Sequence, residues 1–342
     1  MQATVFERHG GPEVLEPREI PDPLPAAGEA LVRVRACGIN HLDLWVRSGL
    51  PGLVVEMPHV LGSDVVGEVA ALGPGVSGLA VGAKTLVHPT LSCGECDACR
   101  AGEDNLCRHH DVLGRRRNGG YAGYVRVPAR NCLPFPDRLT WEQAAAAPLV
   151  FLTAWHMLVG RAKLRAGEDV LVIGAGGGVG SAAVQVARLL GARVIATAGS
   201  AAKLERARSL GAEQLVNHAS EDIAARVRGI TARKGVEVVF EHVGGRVFEA
   251  GVASLARNGR LVTCGATIGA KATLDLNLLF GRHLSLLGSW MGTRDEMVAV
   301  LAELSAGRLE PVVDSVMPLA RARAAHERIE SRAHFGKVVL VP

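Results

Sequence analysis

The stretch DVLVIGAGGGVGSAAVQVARLLG, residues 169–191, constrains the fold of this chain more than any other. An unbroken apolar run ends in glycines. A helical apolar face then follows, built from Ala183, Val184, Ala187 and Leu190 and stopped by Gly191. Continuous apolarity marks a strand buried on both faces, and apolar residues every three to four positions mark an amphipathic helix. The turn between them, GAGGGVGS (174–181), lets the backbone approach a pyrophosphate, and the helix start offers unpaired N–H groups and a positive dipole end. Its glycines read A-x-G-x-x-G, with Ala175 at the first position and Gly177 and Gly180 kept. Gly174, Ala175, Gly177, Gly178, Val179 and Gly180 are the expected dinucleotide-binding residues.

The alternation continues. RVIATAG (193–199) is the next strand, and SAAKLERARSLGA follows, with Ser200 as N-cap and Gly211 as stop. Further strands are EQLVN (213–217), VEVVFEHV (236–243), GRLVTCGAT (259–267) and HLSLLGSW (283–290). Six strands with intervening helices predict an α/β doubly wound parallel sheet. An acidic residue ending the second strand would bind the ribose 2′-hydroxyl of NAD and repel a 2′-phosphate. The segment ATAGSAAK holds no acid. Ser200 and Lys203, with Arg206 beside them, suit a phosphate; the plainer reading makes Ser200 a helix cap and Lys203 a solvated charge. The expected preference is NADP(H) over NAD(H).

Before residue 168 the pattern differs. EALVRVRACGIN (29–40) alternates apolar and polar residues, and short β-rich runs follow at 65–73, 83–89 and 120–129, separated by Gly and Pro. This predicts a mostly antiparallel domain. A helix at about 294–306 and a final strand, KVVLVP, are expected to return to it. The expected domains are 1–150 with 293–342, and 151–292.

Four cysteines lie in CGECDACRAGEDNLC, residues 93–107, spaced C-x2-C-x2-C-x7-C. The N-terminus has no apolar h-region, and the longest apolar run, 144–155, is too short to span a bilayer and contains Pro148. A cytoplasmic, reducing location is expected, where such a cluster reads as a metal site rather than as disulfides. Cys37, Cys132 and Cys264 are scattered and read as small core residues. The net charge is +4, and no aromatic or basic stripe extends the Arg115–Arg117 run, so no nucleic-acid partner is expected.

Together these motifs resemble the medium-chain dehydrogenase/reductase superfamily over essentially the whole chain. The resemblance rests on GGPEVLEPREIP near the start, the four-cysteine segment, the AGGGVG turn and HFGKVVL near the end. It mixes features of the zinc-type alcohol dehydrogenases and of the quinone oxidoreductase branch. It implies a GroES-like, mostly antiparallel β catalytic domain and a Rossmann domain with a six-stranded parallel sheet. It also implies one structural Zn2+ on Cys93, Cys96, Cys99 and Cys107. Four thiolates close a tetrahedral shell, with no open position for substrate.

The catalytic zinc of such relatives needs three other ligands. Their positions fall on Asn40 in GINHLD, on Ser63 in Gly62-Ser63-Asp64, and at or near Leu149. None is a good zinc ligand. The resemblance therefore implies a structural zinc kept and a catalytic zinc lost. The alternative is a rearranged site drawn from Cys37, His41, Asp43, His59 and Asp64. The plainer readings make His59 a loop residue beside Pro58 and Asp64 a buried acid bonded to backbone or an arginine.

The quinone-reductase branch carries N-x-x-D at the metal position, which Asn40 and Asp43 match. Asn40 is expected to position nicotinamide or substrate, and Asp43 to hold the loop. His41 either donates a proton or touches the cofactor phosphate. The resemblance also implies that Thr153, Gly265, Ala266, Thr267 and Lys337 line the cofactor site; Arg47 and Trp45 are expected to border the substrate, with a core position the alternative for Trp45. Three functions follow: an NAD(P)H-dependent reductase of quinones or α,β-unsaturated carbonyls without catalytic zinc, an alcohol dehydrogenase with rearranged zinc, or a non-catalytic NADPH-binding sensor or structural protein. The expected partners are a small-molecule substrate and a second copy, as a homodimer or dimer of dimers joined at the edge strand 283–290. No membrane partner is expected.

Overall fold

Strand Asp169–Val172 lies at the centre of a six-stranded, all-parallel sheet. The order is Gln214–Asn217, Arg193–Ala198, Asp169–Val172, Val236–Glu241, Leu255–Thr263, Ser285–Gly288. The chain leaves the central strand toward one edge, then crosses back to build the other, so the switch point falls between Asp169–Val172 and Val236–Glu241. Leu171, Ile195, Val239 and Leu261 are buried with Val227 and Val252 from the flanking helices. Covering both faces explains why these strands read as continuous apolar runs. Ser285–Gly288 pairs on one side only.

This computed structural model describes residues 1–342. Residues 150–292 form one unit around the parallel sheet, and 1–149 with 293–342 form the other. In the second of these the hub is strand Glu29–Gly38. It pairs antiparallel with Asp64–Leu72, Tyr124–Pro128 and Lys337–Val341. Val32, Val34 and Ala36 are buried while Arg33 and Arg35 are exposed, which is the alternation of a half-covered sheet. The final strand also lies parallel to Val313–Pro318. That strand and helix Ala322–Glu330, which buries Ala322, Ala325, His326 and Ile329 along one face, lie outside the elements expected from the sequence. No helix is long and apolar enough to cross a membrane.

Candidate active site

A buried polar cluster joins the hub strand, the strand beside it and the last strand. Asn40 caps helix His41–Ser48, just after the hub strand; Asp64 opens the next strand of the sheet; Lys337 opens the last. The Lys337 ammonium donates to Asn40 Oδ1 at 2.5 Å and to Asp64 Oδ2 at 2.8 Å. Asn40 Nδ2 donates to the same Asp64 oxygen at 3.0 Å, and Leu149 N donates to Asp64 Oδ1 at 2.8 Å. All three cluster side chains are buried, Asp64 completely. A charge taken out of water needs such compensation, and here the carboxylate receives three donors including a full positive charge. An ammonium has three N–H groups and a carboxamide two. One on Lys337 and one on Asn40 Nδ2 are left for another acceptor.

Asp43, in the first turn of helix His41–Ser48, ties two segments together. Its Oδ2 accepts from Asn40 N at 2.8 Å and its Oδ1 from Gly62 N at 3.1 Å, and Tyr121 donates to Oδ2 at 3.3 Å. Burial nevertheless pushes its carboxyl up to about 6. His41 is half-buried beside Trp45, with ring centroids 6.3 Å apart. Arg47, expected beside substrate, is 2% exposed and committed to the Gly10 carbonyl, His326 and Glu330. His59 is a buried strand residue whose Nε2 lies 3.0 Å from the Gly114 carbonyl, and Ser63 is buried with its hydroxyl unpaired. Asp64 is bonded to a lysine rather than to an arginine. Only the four cysteines form a group of three or more His, Cys, Asp or Glu residues whose ligand atoms converge.

In the other unit, the central strand turns at Gly174 (φ +72°) into helix Gly178–Leu189. A Cβ on Gly180 would stand 2.2 Å from the Gly174 carbonyl oxygen, so this position admits only glycine without a shift. Ala175 is buried and its N–H bonds the Thr197 carbonyl. Gly177 and the first helical residues Gly178 and Val179 present the open N-terminus, which fits a diphosphate. The Lys203 side chain lies across the turn: a Cβ on Gly176 would meet its Cδ at 2.8 Å. Ser200 caps the next helix, accepting from Lys203 N at 3.4 Å.

Sequence reading missed His218, which follows the third strand. Its Nδ1 lies 3.1 Å from Thr197 Oγ1, and its Nε2 would be 3.3 Å from a Cβ on Gly199. A polar residue just past the carboxyl end of a parallel strand was the available signal. Glu241, ending the fourth strand, is fully buried and accepts from Val243 N, Gly244 N and Thr263 Oγ1, so it shapes the adjoining loop. Gly265, Ala266 and Thr267 follow the fifth strand; a Cβ on Gly265 would be 2.7 Å from the His242 carbonyl oxygen. Thr153 is buried in helix Pro148–Trp155.

The cysteine segment folds into a short lobe. Sγ–Sγ distances are 3.8 Å for Cys93–Cys99 and 3.5 Å for both Cys96–Cys99 and Cys107–Cys93. A tetrahedron with metal–sulfur bonds of about 2.3 Å has edges of about 3.8 Å, so the four sulfurs fit a zinc ion. Backbone N–H groups of Cys93 and His109 point at Cys107 Sγ, both at 3.3 Å, and Cys96 N points at Cys93 Sγ at 3.4 Å. Such bonds stabilise thiolates.

Two family models match the chain: an alcohol dehydrogenase GroES-like domain over residues 26–137 and a zinc-binding dehydrogenase domain over 178–306. Among curated relatives, quinone oxidoreductase of Homo sapiens is 30% identical, covering 98% of this chain and 96% of its own. NAD-dependent alcohol dehydrogenase of Sulfurisphaera tokodaii is 31% identical over the full length of both. Among solved structures, one described as an NAD-dependent alcohol dehydrogenase superposes with a TM-score of 0.97 at 47% identity, again over both full lengths.

Proposed function

The chain belongs to the medium-chain dehydrogenase/reductase superfamily and is an NAD(P)-dependent oxidoreductase, and from that premise we propose that it reduces activated acceptors, quinones or α,β-unsaturated carbonyls, without a catalytic zinc. The Lys337 ammonium, held between Asn40 and Asp64, carries this reading. A divalent cation placed at Asn40 would meet that positive charge, with one carboxylate and an unpaired serine as the remaining donors nearby. Bound nicotinamide supplies the hydride. As hydride reaches the electrophilic carbon, negative charge moves to the acceptor oxygen, and the spare N–H groups of Lys337 and Asn40 are donors of the right kind to stabilise it. His41, half-buried at its helix start, is the proton donor in this scheme.

NADP(H) is the proposed cofactor, although the two alcohol dehydrogenases above are described as NAD-dependent. Ser200, Lys203 and His218 surround the end of the second strand, where the adenosine ribose binds in this fold. Thr197 Oγ1, which accepts from Gly174 N, also lies 3.1 Å from His218 Nδ1, while His218 Nε2 faces Gly199. The cysteine lobe is proposed to hold one structural zinc. A dimer through Ser285–Gly288 is proposed as well, since an edge strand with Leu276 and Phe280 exposed nearby gains by being paired. Light scattering checks it; a monomer refutes it.

An alcohol dehydrogenase is the rival, favoured by the description of the 47% identical structure. Zinc per chain on dialysed protein, together with a screen of quinones, enones, aldehydes and alcohols against both cofactors, decides. One equivalent with C=C or quinone reduction supports the proposal. Two equivalents with alcohol oxidation refute it. Tight NADPH binding with no turnover in any assay would favour the sensor reading.

A further inference from the structure

Arg47, Tyr121 and His326 form a buried chain that ends on Asp43, and the reaction above gives none of them a part. Side-chain chemistry sets the direction of each bond. A guanidinium can only donate. Arg47 Nη1, 3.0 Å from His326 Nδ1, therefore makes that nitrogen an acceptor. Burial and the neighbouring Arg47 hold His326 neutral, lowered to about 3. The neutral ring carries its hydrogen on Nε2, which lies 3.1 Å from the Tyr121 oxygen and donates to it. The Tyr121 hydrogen is then directed to Asp43 Oδ2, 3.3 Å away. At the other end Arg47 is held by the Gly10 carbonyl and by Glu330. His326 and Tyr121 are completely buried, so each bond in the chain replaces one that water cannot supply.

Asp43 passes this constraint on, because it holds the backbone at Asn40 with one oxygen and at Gly62 with the other. Asp64 lies two residues beyond Gly62. We propose that Tyr121 and His326 are positioning residues: through Asp43 they set the separation between the Asn40 amide and the Asp64 carboxylate, and so the place where Lys337 presents its free N–H. This deepens the reading of Asn40 and Lys337 as donors to the acceptor oxygen and rests on it. The groups facing Asp43 are Tyr121, Cys37, Asp64, Lys337 and the amides of Asn40 and Gly62.

The test compares Tyr121→Phe, His326→Gln and His326→Ala in NADPH-dependent quinone and enone reduction across the pH range. The 15N histidine spectrum of the wild type is recorded alongside. Glutamine carries an acceptor and a donor on one planar group and can preserve the chain's direction; alanine cannot. Tyr121→Phe should lower kcat about tenfold, the size of one lost hydrogen bond, with the cofactor KM unchanged. It should also move the acid limb upward, since Asp43 loses a donor. His326→Ala should behave like Tyr121→Phe, and His326→Gln should stay close to wild type. Unchanged kcat and acid limb in Tyr121→Phe, or equal losses in the Gln and Ala variants, would overturn the proposal. In the spectrum, the resonance missing from His326→Gln should report Nε2–H; an Nδ1–H tautomer overturns the chain's direction. If the wild type reduces none of these acceptors, the proposed reaction fails, and the chain is judged on that tautomer alone.

Discussion

Lys337→Met is the perturbation that most directly interrogates the cluster. It removes the one positive charge beside Asp64, which is completely buried, and leaves a methyl-terminated chain in its place. Stripping one partner from a buried ion pair costs about 3–5 kcal/mol, because the other charge remains buried without compensation. Asp64 keeps its bonds from Leu149 N and Asn40 Nδ2, so the lower end, about 3 kcal/mol, is expected. Asp64→Asn should cost about 2 kcal/mol, because it leaves the ammonium with two carbonyl oxygens and no counter-charge. In the double variant no unpaired charge remains, and the loss should be about 3 kcal/mol rather than the sum of about 5. Urea unfolding at neutral pH, followed by tryptophan fluorescence, reads all three. With slopes of about 1–3 kcal/mol per molar, the single Lys337 variant should lose about 1 M or more in midpoint. A loss below about 1 kcal/mol, or strict additivity, would show that the ammonium does not compensate Asp64 and would remove the main support for a metal-free site.

Three further outcomes are expected. Lys203→Ala should raise the KM for NADPH about tenfold while leaving that for NADH nearly unchanged, as the loss of one charged hydrogen bond predicts; equal effects on both would sink the 2′-phosphate reading. Cys99→Ser should lower the zinc content toward zero and expose residues 93–107 to protease, and full retention of zinc would refute the four-thiolate site. The third concerns acid. Burial lowers both His88 and His326 to about 3, so the stability each contributes is complete above about 6.5 and is lost as pH falls toward 3, at up to about 1.4 kcal/mol per unit. Asp43, raised to about 6, works in the opposite sense, since its cost is relieved between pH 6 and its unfolded value of about 4. Two histidines outweigh one aspartate, so the unfolding midpoint should fall from pH 6.5 to 4, and His326→Gln should flatten that slope. An unchanged slope would show that His326 is not held neutral.

What could be read from the sequence was local. The turn at 174–181 is legible because its strand, glycines and helix are contiguous, and the cysteine lobe because its four ligands lie within fifteen residues. The edge position expected for the apolar strand at 283–290 is where Ser285–Gly288 lies. The Asn40–Asp64–Lys337 cluster was beyond reach as a cluster. Each residue was singled out, but Lys337 was placed with the cofactor residues, and only a strand pairing between Leu340 and Cys37 brings it to Asn40. Tyr121 and His326 drew no expectation, because a polar side chain gives no local sign that another polar side chain will bury it. The resemblance pointed Arg47 toward substrate, whereas the fold encloses it.

The last strand has a consequence for the order in which the protein is made. Lys337 reaches Asn40 only when the strand Lys337–Val341 docks on Glu29–Gly38, and all of residues 150–292 are translated between the two. On the ribosome, the parallel-sheet unit is contiguous and can close while the hub strand still lacks that neighbour. Until residue 337 has been made, Asp64 lacks the Lys337 ammonium beside it. A nascent chain stalled before residue 337 would therefore carry the complete glycine turn at 174–181 and an incomplete Asn40–Asp64–Lys337 cluster. A premature stop there would leave the buried Asp64 carboxylate without the cation that it pairs with in the full chain.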